Sequence, residues 1–153
     1  MIIDLNKIPE EGITLSGEEP ATILGLEEDR FLHTASPLAY TLTVQLASHQ
    51  VIVSGSLKAR LKVQCVRCAE FFSTTLQDSS FLRAYEIQTG MDTLDVTDDL
   101  REGILLLVPH FPLCSPDCKG LCPQCGANKN HGPCACAQEK DQAPWDNLNR
   151  IKF

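Results

Sequence analysis

The stretch VIVSGSLKARLKVQCVRC, residues 51–68, decides how the chain is read. Val51, Val53, Gly55, Leu57, Ala59, Leu61 and Val63 alternate with mostly polar neighbours. A period of two places one set of side chains against a core and the other in water, which predicts a β-strand. The strand runs straight into Cys65-x2-Cys68. Gly55 is the expected place for a bulge or bend.

Working outward, Tyr40, Leu42, Val44 and Leu46 repeat the alternation, with Ser48-His49-Gln50 as a turn before the next strand. Phe71 to Leu76 and Phe81 to Tyr85 read as two further strand pieces. A helix follows: Thr97 suits the N-cap, and Asp98 and Asp99 suit the positive end of the helix dipole. Leu100, Ile104, Leu107 and Val108 form its apolar face, and Pro109 closes it. A short helix from Pro144 is expected to use Trp145, Leu148 and Ile151 as apolar contacts. Residues 1–39 are acidic and broken by glycine and proline. They read as irregular, with a short strand at Thr22-Ile23-Leu24 and a weak capping box at Ser16 and Glu19. The expected fold is α+β: an antiparallel β meander or partial barrel (40–113) with one main helix, carrying a cysteine-rich, zinc-binding C-terminal module (114–153).

The chain has 153 residues, 43% hydrophobic and 22% charged, so one compact domain can bury a modest core. No apolar run reaches the length a membrane span needs, and the first residues lack the order of a secretory signal. The expectation is a cytoplasmic protein with no membrane partner, in a compartment where structural disulfides rarely persist. Net charge is −7, unevenly placed: residues 1–113 hold 8 basic and 16 acidic side chains, residues 114–153 hold 5 and 4. That acidity disfavours nonspecific adhesion to phosphate backbones and favours a basic partner.

Eight cysteines fall as Cys65-x2-Cys68, Cys114-x3-Cys118, Cys122-x2-Cys125 and Cys134-x-Cys136. Zinc takes four tetrahedral ligands in structural sites, and thiolates suit it. The preferred division is Cys65, Cys68, Cys114 and Cys118 in one site and Cys122, Cys125, Cys134 and Cys136 in a second, for one or two Zn²⁺ ions. Closing the loop between Cys68 and Cys114 costs about a few kcal/mol. Zinc binding, at about 10–16 kcal/mol, outweighs that cost. Spacing also admits a group of Cys114, Cys118, Cys122 and Cys125, and His131 as a replacement for one of the last two cysteines. Disulfides are disfavoured by compartment, while an iron–sulfur cluster stays open on cysteine count alone. Arg67, Lys119 and Lys129 lie beside the ligands and suit neutralisation of thiolate charge.

Lys58, Arg60 and Lys62 share the wet face of the quoted strand and lead towards Arg67. An ordinary solvated face is the plain reading; a small RNA- or partner-contacting stripe is the functional one. No phosphate loop, nucleophile elbow or zinc-protease helix occurs, and His33, His49, His110 and His131 are scattered. Asp92, Asp95, Asp98 and Asp99 read as a solvated face and helix start. The sequence therefore gives no catalytic residue and no small-molecule substrate.

Val63-Gln64-Cys65-Val66-Arg67-Cys68, followed by Glu70-Phe71-Phe72, resembles the first motif of the YceD family. Pro112-Leu113-Cys114 through Asn128 resembles its longer second motif, and the resemblance runs from about Tyr40 to Cys136. Asn128-Lys129-Asn130 departs from the family's Asn-Leu-Asn, in a loop between ligands. The resemblance implies a non-enzymatic factor in the accumulation of large-subunit ribosomal RNA, acting on that RNA or on a basic ribosomal protein. Some relatives lack the last four cysteines, which implies that the second site is dispensable to the shared role. The competing expectation is a thiol-redox or metal-relay protein working through Cys65 and Cys68.

Overall fold

The computed structural model describes residues 1–136. The short helix expected from Pro144 lies outside the described residues. In chain order the strands are β1 (Ile2–Asp4), β2 (Ile13–Glu19), β3 (Leu32–Thr34), β4 (Leu38–Ala47), β5 (Gln50–Gln64), β6 (Phe71–Glu86) and β7 (Thr93–Asp95), followed by helix α1 (Thr97–Leu105). Single 3₁₀ turns occupy Leu5–Lys7 and Ala21–Leu24.

The long hairpin β5–β6 organises the molecule. β5 pairs with β6 along one edge, and with β4 and then β3 along the other; β2 extends the sheet beyond β4. Every pairing is antiparallel, and the sheet does not close into a barrel. The alternation read from the sequence is the pattern of burial: Val51, Val53, Leu57, Ala59, Leu61 and Val63 are buried, while Lys58, Arg60 and Lys62 are exposed. Burying each Val or Leu stabilises the fold by about 1.5–3 kcal/mol.

Gly55 sits where the β5–β6 register shifts, and a Cβ there would lie 2.1 Å from the Thr41 carbonyl oxygen of β4. Only glycine lets the two backbones approach so closely. The shift also joins the two expected strand pieces into one: Phe71 to Glu86 is continuous, with Asp78–Ser80 accommodating the irregularity instead of forming a turn.

α1 packs across β5 and β6 through Leu100 and Ile104, both fully buried. Thr97 is its first residue, not its cap; the Asp95 carboxylate accepts from the Thr97 amide and hydroxyl. Asp99 is not merely solvated. It accepts from the Tyr85 hydroxyl at 2.7 Å and from Arg83 Nε at 3.3 Å, fastening the helix start to β6. Burial and the adjacent Asp99 raise the Tyr85 pKa. The helix ends at Leu105, because Leu107 and Val108 close 3₁₀-type turns onto Ile104 and Leu105 before Pro109.

The N-terminal 39 residues differ from the irregular segment expected of them. β2 holds the residues read as a capping box, and its Ile13 and Leu15 pack on the core opposite Val44 and Leu42. Thr22–Leu24 lies in a 3₁₀ turn and not in a strand. β1 pairs with β7, placing Ile3 against Leu94.

Candidate metal centres

Cys65 and Cys68 lie on the tight connection between β5 and β6. The Cys65 amide donates to the Glu70 carbonyl and the Ala69 amide donates to the Cys65 carbonyl, both at 2.9 Å. Ala69 reaches this turn with a left-handed φ of 58°. Cys122 and Cys125 repeat the arrangement: the Cys122 amide donates to Ala127 O at 2.8 Å, and the Gly126 amide to Cys122 O at 2.9 Å. There Gly126 takes the left-handed position, with φ 72°. Each knuckle points two sulfurs to one side and turns backbone N–H groups towards them.

The segment after α1 returns to the first knuckle. The Val66 amide donates to Pro112 O and the Leu121 amide to Arg67 O, each at 3.0 Å. Arg67 Nη1 donates to Cys118 O at 3.2 Å and to Pro116 O at 3.4 Å. This docking sets Cys65 Sγ 3.8 Å from Cys118 Sγ and Cys68 Sγ 3.7 Å from Cys114 Sγ. Cys65, Cys68, Cys114 and Cys118 form one group whose sulfurs all lie within 4.8 Å of one another. Cys122, Cys125, Cys134 and Cys136 form a second group on the same criterion. Cys114 and Cys118 therefore lie with Cys65 and Cys68, not with Cys122 and Cys125. His131 joins neither group; its Nε2 lies 2.6 Å from a Glu70 carboxylate oxygen.

These dimensions suit a metal ion. A tetrahedral ion with bonds of about 2.3 Å to sulfur needs sulfur–sulfur edges of about 3.8 Å. Either group could coordinate a metal, with Cys65, Cys68, Cys114 and Cys118 as one ligand set and Cys122, Cys125, Cys134 and Cys136 as the other.

The local environment already favours thiolate at selected positions. Burial opposes ionisation of Cys65, but backbone hydrogen bonds at Cys114, Cys68 and Arg67 outweigh it and bring its pKa to about 6. Backbone hydrogen bonds at Cys125 and Gln124 bring Cys122 to about 6. The Asn130 amide, 3.3 Å from Cys118 Sγ, lowers the Cys118 thiol. Neighbouring sulfur pushes two thiols up: Cys114 to about 12, chiefly through Cys118, and Cys136 to about 12, chiefly through Cys125. Four thiolates cannot share so small a space without a cation.

Asn130 is a functional residue the sequence reading missed. Its Oδ1 accepts from the Lys119 amide at 2.8 Å while its amide donates to sulfur, so it braces the second arm of the first group. The retained second asparagine of the departing Asn-Lys-Asn triplet was the available signal. Arg67 is turned onto the cysteine loop, whereas Lys58, Arg60 and Lys62 lie in a row along β5.

Residues 82–152 match the family model described as Large ribosomal RNA subunit accumulation protein YceD. An uncharacterised protein of Mycobacterium tuberculosis is 32% identical over 99 residues, covering 56% of this chain and 48% of its own. One from Mycobacterium leprae is 28% identical over 141 residues, or 76% of this chain and 65% of its own. The Arabidopsis thaliana protein named Large ribosomal RNA subunit accumulation protein YCED homolog 1, chloroplastic, is 29% identical over 59 residues, 39% of this chain and 18% of its own.

These matches support assigning the chain to the YceD family. The family model takes in β6 from Leu82, α1 and the whole second cysteine motif, while the first knuckle at Cys65 and Cys68 precedes the matched stretch. The chain spans about half the length of the first mycobacterial relatives it matches. No solved structure matches it. Among the described residues, no helix is long and apolar enough to cross a membrane.

Proposed function

We propose that each cysteine group holds a zinc ion and that metal binding is the chemistry on which this protein's role rests. The observation that carries this reading is the pair of sulfur–sulfur distances, 3.7 and 3.8 Å, between the β5–β6 knuckle and the loop after α1. Cysteine-only ligand sets favour zinc over hard cations, and closed four-ligand sets favour a structural ion over a catalytic one. The zinc at Cys65, Cys68, Cys114 and Cys118 ties the sheet to the chain beyond the helix.

The cellular role we propose is support of large-subunit ribosomal RNA accumulation, as a cytoplasmic, non-enzymatic factor contacting that RNA or a basic ribosomal protein. Its support is the family match and the name of the Arabidopsis relative. The alternative, a thiol-redox or metal-relay protein, has the more direct geometric support on its metal side, because Cys65 and Cys68 belong to a four-sulfur group. Its redox side is weaker: each of these sulfurs has a close partner across the loop, at Cys118 and Cys114.

One measurement separates these readings. The purified protein is assayed for metal by elemental analysis and for reactive thiols before and after chelation. Two zinc ions per chain with thiols that react only after chelation support a structural role. Metal that passes readily to an acceptor chelator supports a relay, and a metal-free, reversibly oxidised Cys65–Cys68 pair overturns the zinc reading.

A further inference from the structure

The outer face of the β5–β6 hairpin carries cations and aromatic rings in one continuous patch. Lys58, Arg60 and Lys62 are exposed and occupy alternate positions on β5, about 6.7 Å apart along the strand. Register extends each position into a row. Lys62 stands between His33 of β3 and Ser73 of β6, Arg60 faces Thr75, and Lys58 stands between Ala39 and Gln77. At the end nearest the first cysteine group, Phe71 is 44% exposed and lies opposite Gln64, with its ring centroid 4.9 Å from that of His33. Phe31, 62% exposed, lies beside Gln64, whose amide donates to the Phe31 carbonyl. A depression of about 350 Å³ opens along the same patch, lined in part by Ser36, Lys58, Arg60 and Thr75. Glu18 also lines it and shares the Lys58 row from the outermost strand.

Three cations gathered on one face of a chain with net charge −7 call for a negatively charged occupant. A basic ribosomal protein would be repelled here. Exposed rings beside the cations add a second preference, because unstacked bases lie on aromatic faces while the backbone follows the charges. Duplex RNA offers its bases only at groove edges and would leave the rings unused.

We propose that this hairpin face binds single-stranded RNA, with Lys58, Arg60 and Lys62 following the phosphates and Phe71 with His33 stacking a base. The inference rests on the ribosomal-RNA reading above and deepens it by placing direct contact on the outer face of the sheet, on side chains that are not metal ligands.

The test uses the full zinc-loaded chain and a fluorescent single-stranded RNA of about 12 nucleotides, read by anisotropy across a salt series. The charge variant combines Lys58→Gln, Arg60→Gln and Lys62→Gln. It is expected to weaken binding strongly and to reduce the slope of log affinity against log salt by about 2. Phe71→Ala is expected to cost about five-fold or more in affinity. All four positions are exposed, so the melting midpoint and zinc content should match the parent and identify any misfolded sample. Unchanged affinity and salt slope in the charge variant overturn the proposal, as does equal affinity for a duplex of the same sequence. Capture of an acidic protein on this face without RNA binding overturns it too. The role is read separately: normal large-subunit RNA levels in cells lacking the protein would remove the reading beneath this one without altering the binding measurement.

Discussion

The two cysteine knuckles share a backbone and differ in what they join. In both, the residue four beyond the first cysteine turns left-handed and donates to that cysteine's carbonyl, and the residue five beyond accepts from its amide. The first knuckle meets partners 46 and 53 residues away, after β6 and α1 have intervened. The second meets Cys134 and Cys136 within its own loop. Burial differs in degree: in the first group Cys65, Cys68 and Cys118 are buried beside Phe72 and Leu113 and Cys114 is exposed, whereas in the second group Cys122 is buried, Cys125 is exposed and Cys134 and Cys136 are half-buried. The same turn thus serves as a long-range staple in one place and a local clasp in the other.

Chelation should separate the two roles with the largest effect. Zinc removal is expected to lower the melting midpoint and to release the loop after α1 from the β5–β6 turn. Amide exchange should accelerate at Val66, Cys118 and Leu121 while the paired amides of β4 and β5 stay protected. The free energy at stake is a sizeable fraction of the about 10–16 kcal/mol typical of structural zinc. Uniform loss of protection across the sheet would show that the staple holds the whole fold and not one docking.

Single-ligand variants come next. Cys68→Ser and Cys136→Ser should each remove one zinc ion by elemental analysis. Only Cys68→Ser is expected to undo the docking of the loop after α1 on the β5–β6 turn, at a cost of more than about 4 kcal/mol, the range associated with losing a structural metal. Cys136→Ser should unfasten a local loop and leave the main denaturation transition nearly in place. Equal destabilisation by the two would abolish the distinction between staple and clasp.

The uneven legibility of the fold has the same origin as this contrast. β5 was legible because its alternation is long and one face is wholly buried, and the spacing of the cysteines favoured the division into fours that the structure displays. β1 and β7 were not: each has three residues, and their pairing joins positions about 90 residues apart. β2 was obscured because Ser16 and Glu19 resemble a helix start, although Ser16 faces water and Glu19 is half-buried on this edge strand. The row of Lys58, Arg60 and Lys62 could be read from one strand, but the Phe71–His33 contact needs the register of three. Asp78-Ser79-Ser80 looks like a turn in sequence because a bulge and a turn favour the same small polar residues.

Asn130→Ala probes the first group without touching a ligand. The change removes a donor to Cys118 Sγ and the acceptor for the Lys119 amide. Zinc affinity of that group should fall by about 10–100-fold, as for other residues that orient metal ligands. Competition with a chromogenic chelator measures it, and the second group's affinity should stay constant. A parallel fall in both would mean that Asn130 acts on the shared loop, which also carries the Gly120–Lys129 hydrogen bond.

The smallest effect tests whether the knuckles are equivalent at the turn itself. A methyl group at Gly126 would meet nothing within 4 Å, so Gly126→Ala introduces no clash and isolates the cost of a left-handed alanine. That cost is about 1–2 kcal/mol before the gain from a stiffer unfolded chain, which returns about 0.4–1. Ala69 already bears the left-handed conformation at φ 58°. Ala69→Gly relieves it but loosens the unfolded chain, so a stabilisation of at most about 1.6 kcal/mol is expected by chemical denaturation with zinc bound. Opposite signs for the two substitutions would establish that one backbone turn is built twice. A loss on Ala69→Gly would mean that the methyl group has packing of its own at the buried staple, and the likeness of the knuckles would end at their hydrogen bonds.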